Sequence, residues 1–157
     1  MITLNPKDDL TIVCKLFIEK DVKFLICGAR ACALHGYIRA TEDIDILVQN
    51  NKKNIEKVIE CINELYPHLE EVTVDDLISN IVLKILDEPE LDIMLSAWSV
   101  TYEEAQKDVC KVVFNNLEIP FLGLESLLKS KETEREQDKW DSKILREILK
   151  KKHKTKE

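Results

Sequence analysis

Residues 28–48 read GARACALHGYIRATEDIDILV, and the end of that run decides the fold. In Asp43-Ile44-Asp45-Ile46-Leu47-Val48 the side chains Ile44, Ile46 and Val48 alternate to one side and Asp43 and Asp45 to the other. That is the period of a strand with one face in the core. The apolar face anchors the strand and holds two carboxylates rigidly on the opposite face. A hard divalent cation uses such a pair: Mg²⁺ takes one or two protein carboxylates and completes its shell with water and substrate phosphates. A bare Asp-x-Asp is more often a solvated strand face, so the flanking residues must decide.

Upstream, residues 22–27 (VKFLIC) form a short buried strand, Gly28 ends it, and residues 29–35 (ARACALH) are small and helix-prone, with Gly36 as a C-cap. Gly28 precedes Asp43 by 15 residues, enough for a helix that returns the chain to an adjacent strand. A glycine turn running into a helix start presents main-chain N–H groups to phosphate, at Gly28, Ala29 and Arg30 here, though such turns are common. Downstream, Leu91-Asp92-Ile93-Met94-Leu95 repeats the alternation with one acid, Asp92, in an apolar strand. An unpaired charge there is costly unless the strand lies at an exposed edge. If this strand neighbours the first, Asp43, Asp45 and Asp92 converge, and carboxylates so placed can hold two metal ions.

The remaining pattern alternates strands and helices. Residues 51–65 are amphipathic, with Ile55, Val58, Ile59 and Ile62 on one side, and a short helix spans residues 74–78 with Thr73 as its cap. Residues 81–86 and 90–95 are strands around a turn at Asp87-Glu88-Pro89, and residues 109–114 and 117–121 are strands around Asn115-Asn116. A short helix spans residues 102–108, and the last third is helical over residues 124–133 and 137–150. The last of these carries Trp140, Ile144, Leu145 and Ile148 on one stripe, and Asn5-Pro6 starts a first helix. The expected architecture is an α/β (α+β) domain over residues 1–149, with a mixed sheet of about five strands flanked by helices and a helical C-terminus. Residues 150–157 form a frayed basic tail.

Composition limits the alternatives. The 157 residues are 45% hydrophobic and 34% charged, which excludes a disordered chain and suffices for a core without disulfides. The five cysteines show no CxxC spacing, so neither a disulfide framework nor a zinc knuckle is indicated, and a reducing cytoplasm is expected. The N-terminal MITLNPKDDL turns acidic by its eighth residue, unlike a signal peptide, and no apolar run is long enough to span a bilayer. The net charge is −7. Residues 150–157 hold five Lys and one Glu, which leaves 18 basic against 29 acidic residues, a net −11, in the body. Such a body does not attract nucleic acid by bulk electrostatics and needs metal ions to approach a polyphosphate.

Taken together, residues 28–48 resemble the nucleotidyltransferase superfamily, the fold shared with polymerase beta, and within it the small stand-alone minimal nucleotidyltransferases of bacteria and archaea. The match to H-G-x-x-R-x-T-x-D-I-D is carried by His35, Gly36, Arg39, Thr41, Asp43, Ile44 and Asp45, and the third acid of the pattern by Asp92. The run LESLLKSKETEREQDKWD is similar to the family's C-terminal helix pattern at Glu125, Lys131, Arg135, Asp138 and Asp141. Ala29 stands where the family has Gly or Ser, Arg30 where a small or apolar residue is common, and Gln137 where a basic residue precedes Asp138.

The resemblance implies transfer of a nucleoside monophosphate from an NTP, such as ATP, to a hydroxyl acceptor. Asp43 and Asp45 would ligate two Mg²⁺ (or Mn²⁺) ions. Asp92 would ligate the catalytic one and help deprotonate the acceptor, which attacks the α-phosphate as pyrophosphate leaves. Gly28, Ala29 and Arg30 would hold the β- and γ-phosphates, Arg30 standing in for the missing Ser hydroxyl. Arg39, four residues before Asp43, either pairs with the acidic cluster, the stronger reading, or reaches a phosphate. Lys131 would contact the triphosphate or lie on the surface. His35 and Thr41 read as structural, and Trp98 and Trp140 as core or groove wall rather than base-stacking platforms, with stacking the alternative for Trp98 just after the strand of Asp92. The acceptor implied is a small molecule, a tRNA 3′ end or a protein hydroxyl, the last two as in toxins that have an antitoxin partner. The competing readings are a non-catalytic nucleotide- or partner-binding module and, less favoured, a metal-dependent hydrolase.

Overall fold

The computed structural model describes residues 9–40 and 43–155. Chain order is α1 (Asp9–Glu19), β1 (Phe24–Cys27), α2 (Gly28–Leu34), β2 (Asp43–Val48), α3 (Lys52–Leu65), α4 (Val74–Ile78), β3 (Leu83–Ile85), β4 (Glu90–Met94), β5 (Ser96–Ala97), β6 (Val100–Thr101), α5 (Tyr102–Ala105) followed by a 3-10 turn (Gln106–Asp108), β7 (Cys110–Phe114), β8 (Leu117–Phe121), α6 (Leu124–Ser130) and α7 (Glu136–Thr155). The helix start expected at Asn5-Pro6 and the turn role of Thr41 lie outside the described residues.

One mixed sheet of six strands, not five, runs in the order β3-β4-β2-β1-β8-β7, and β5 and β6 form a separate two-stranded ladder. β2 lies antiparallel to β1 and parallel to β4, and β8 lies parallel to β1. The hairpin partners β3 and β7 close the two edges antiparallel. One face is the core. Ile26, Ile46 and Ile93 stand in one register row and are fully buried, as are Ile44 and Leu91 beside them. Each such side chain contributes about 1.5–3 kcal/mol by leaving water. α1 covers this face, with Phe17 edge-on to Phe24 at 5.3 Å between ring centres. The other face carries the acids.

Local signals place the elements. Asn51 caps α3 by accepting from the Asn54 N–H at 2.8 Å, and Thr73 and Asp76 form a capping box on α4. Asn115 and Asn116 both adopt positive φ, 49° and 65°, as a two-residue hairpin turn requires.

Two expectations need correction. The stripe on α7 is rotated: Trp140 is 56% exposed, while Asp138, Asp141, Ser142 and Leu145 are buried. Polar groups take the inner positions because cations lie beneath them. Of the two readings of Trp98, core or groove wall, the second holds: it is 62% exposed and lines a cleft. Finally, α7 continues without a break past Lys150 to Thr155, so most of the basic tail is helical. Lys152 and Lys154 sit in its last turn, where the macrodipole favours cations. Among the described residues no helix is long and apolar enough to cross a membrane.

Candidate active site

Register brings four side chains into one row on the acidic face. Cys27 on β1 opposes Asp45 on β2, Asp45 opposes Asp92 on β4, and Asp92 opposes Lys84 on β3. One step along, Asp43 opposes Glu90. Like charges directly opposite each other destabilise a sheet, and here two such pairs lie side by side.

The electrostatics record that crowding. Burial, then the charge of Asp92 and a hydrogen bond shared with it, push the Asp45 carboxyl up to about 6. The Glu90 carboxyl is raised by its hydrogen bond with Asp43. Lys84 answers part of the excess: its Nζ lies 3.2 and 3.1 Å from the two Asp92 oxygens, and these bonds raise its own pKa. Lys84 was not legible as a site residue. Its only signal is a single lysine between Leu83 and Ile85 in a short apolar strand.

The start of α2 closes on the same row. Gly28 adopts φ +63°, and a Cβ there would stand 2.0 Å from Asp45 Oδ2. Only glycine tolerates both the backbone and the contact. Gly28 and Ala29 border a cleft of about 1350 Å³ whose floor includes Asp43, Asp45, Lys84 and Asp92. Arg39, Lys131, Arg135 and Asp138 line it from the helical side, and Ile81, Val82 and residues 94–98 from the other.

Lys131 and Arg39 are held rather than free. Lys131 is buried, with Nζ 3.1 Å from Asp141 Oδ2 and 3.6 Å from Asp138 Oδ1. Arg39 Nη2 lies 3.3 Å from the same Asp141 oxygen, and Gln137 Nε2 donates to Asp141 Oδ1 at 2.7 Å. Burial alone would raise the Asp141 carboxyl. The bond from Gln137 and the charges of Lys131 and Arg39 outweigh it and hold the group below the usual carboxylate range. Lys131 is therefore no surface lysine, and Arg39 pairs with Asp141 of α7 rather than with the acidic cluster of β2 and β4. His35 serves structure: its Nε2 lies 2.9 Å from the Leu122 carbonyl oxygen.

The structure brings Gly28, Ala29, Arg39, Asp43, Asp45, Asp92 and Lys131 to one cleft. It does not bring Arg30, which is half-buried and absent from the cleft wall. Two residues along a helix turn a side chain by about 200°, away from the side that Gly28 presents. The convergence of the three acids is also incomplete. Asp45 and Asp92 meet, while Asp43 is bonded to Glu90. Among the described residues no group of three His, Cys, Asp or Glu side chains is set to hold a metal ion.

The architecture has a counterpart among solved structures. An antigenic nucleotidyltransferase-like protein from Paracoccidioides brasiliensis matches with a TM-score of 0.55 over 94% of this chain and 78% of that one. The fold is nucleotidyltransferase-like. Sequence identity between the two is 12%, so the likeness is one of fold, and chemistry rests on the side chains above. No protein-family model matches the chain, and no curated protein matches it in sequence.

Proposed function

We propose that this protein is a metal-dependent nucleotidyltransferase that moves a nucleoside monophosphate from an NTP to a hydroxyl acceptor. The observation that carries the reading is the meeting of Asp45 and Asp92 on adjacent parallel strands, under the glycine turn of α2 and at the floor of a cleft flanked by cations. The donor set fits a hard divalent cation in kind. It is all carboxylate oxygen, and the burial and the neighbouring Asp92 charge that together lift Asp45 to about 6 are what such a cation offsets. Asp43, Asp45 and Asp92 would hold it, Asp43 leaving Glu90 to do so. When bound, the cation supplies charge neutralisation at the triphosphate and acidifies the acceptor hydroxyl.

The chain's own groups do the rest. Gly28 and Ala29 offer the phosphates the first N–H groups of α2, which have no acceptor within the helix. Lys131 and Arg39, fixed by Asp141, keep positive charge at the cleft wall despite the acidic body. Asp92, once Lys84 withdraws, takes the proton of the acceptor hydroxyl. The acceptor oxygen then bonds to the α-phosphorus, and the bond to the departing pyrophosphate breaks.

One observation favours the second reading, a non-catalytic nucleotide-binding module: Asp43 and Asp92 are already occupied by Glu90 and Lys84. The deciding experiment incubates the protein with Mg²⁺, each α-³²P-labelled NTP and, in separate arms, cell-extract RNA, cell-extract protein and small hydroxyl compounds. Transfer predicts labelled product and released pyrophosphate, both lost in Asp45→Asn and Asp92→Asn. NTP binding without either product favours the module, and no binding at all removes both readings.

A further inference from the structure

Two large apolar residues of the cleft wall, Ile81 and Trp98, stand outside the core. Trp98 sits in the turn between β5 and β6 at φ +57°. This left-handed conformation is rare for a bulky residue and suits Gly or Asn far better. The turn is pinned there, with Ser96 Oγ donating to the Trp98 carbonyl oxygen. Its ring gains little in return from the core, since the residue is 62% exposed. Ile81, on the same cleft, is 91% exposed. Two large apolar side chains are thus left in solvent beside the carboxylates and cations of the cleft, one of them on a strained backbone. Strain of this kind persists at ligand clamps, where the surrounding structure over-determines it. The cleft is therefore two-ended: charged at Asp45, Asp92 and Lys131, apolar and aromatic at Ile81 and Trp98. A nucleoside triphosphate has the same two ends.

We propose that Trp98 is the platform on which the nucleobase of the NTP stacks, with Ile81 as the neighbouring apolar wall. The proposal rests on the nucleotide reading of the cleft and deepens it by assigning the base. Base–aromatic stacking contributes about 1–3 kcal/mol and tolerates any base, because every base has a π face. The site would thus choose a nucleotide over inorganic polyphosphate without strongly choosing among bases.

The chain has two tryptophans, and Trp140 does not line the cleft; Lys143 Nζ covers its ring at 5.7 Å. A Trp140→Phe background therefore isolates Trp98 emission. In that background, with Mg²⁺, we expect each of the four NTPs to quench Trp98 fluorescence, and tripolyphosphate to bind by calorimetry without quenching. Trp98→Asn should weaken NTP binding about tenfold, the fold-change for a stacking energy in that range. It should leave tripolyphosphate affinity unchanged, with Tm equal or a few degrees higher because the turn is relaxed. Trp98→Tyr should keep most of the NTP affinity. NTP binding with Trp98 emission unchanged, and affinity within twofold in Trp98→Asn, would overturn the platform and leave the transferase reading standing. Absence of binding by both NTPs and tripolyphosphate would overturn the two together.

Discussion

Asp45 bears the main electrostatic strain of the site. Its carboxyl holds a proton up to about 6 in the folded chain, against 3.8 for an ordinary aspartate. The folded state thus keeps a proton that the unfolded chain has lost between about pH 4 and 6, so this contribution is intact below pH 4 and lost as pH rises through 6. About two pH units correspond to roughly 3 kcal/mol, shared by the Asp45–Asp92 pair. In chelator, the stability difference between Asp45→Asn and the parent should open from near zero at pH 4 to roughly 2–3 kcal/mol in favour of the variant at pH 7. Thermal unfolding across that range measures it, and a constant difference would mean that neither burial nor Asp92 raises the Asp45 carboxyl. Lys131 is the converse case, a buried cation shared by Asp138 and Asp141. Lys131→Met strands the fully buried Asp141 with fewer partners and should cost about 3 kcal/mol. The check is a lower urea midpoint at unchanged slope.

At the scale of elements, one polar side chain fixes how α3 meets the sheet. Asn54 is buried; its Oδ1 accepts from the Lys23 N–H at 2.7 Å, and its Nδ2 donates to the carbonyls of Lys23 at 3.0 Å and Gln49 at 2.9 Å. It ties the helix to the residues flanking β1 and β2. Asn54→Leu keeps the volume and removes the partners of the half-buried Lys23 N–H and Gln49 carbonyl, at about 1–3 kcal/mol each, while the Lys23 carbonyl keeps its bond from the Gln49 N–H. We expect a loss of about 3 kcal/mol in denaturant unfolding. Leu beside Ile55, on the side of the helix that Val58 extends, looks harmless in the sequence, and the reason it is not lies beyond the helix, at Lys23 and Gln49. The stripe on α7 shows the same limit. An apolar period locates a helix well, but it misplaces the inner face where buried ion pairs replace apolar contacts, as at Asp138 and Asp141.

Across the whole molecule, charge is divided between an acidic body and the basic end of α7. Residues 151–154 are exposed, so removing residues 150–157 should take net charge from −7 to −11 while moving Tm by no more than about 2 °C. A shift of many degrees in differential scanning would mean that the helical end packs on the body.

The sequence by itself determined the strand–turn–helix–strand of residues 22–48, both hairpins, the α4 cap and the acidic face of β2, because alternation, glycine and asparagine turns and caps act within a few residues. It also singled out Asp92 as a charge out of place. Tertiary structure decided what that charge meets. The parallel placement of β4 beside β2 sets Asp92 against Asp45, and the β3 hairpin adds Lys84. Arg39 reaches Asp141 across 102 residues. Such pairs depend on strand order and on burial, which raises the price of any unmatched charge, and both belong to the folded chain rather than to any local run of residues.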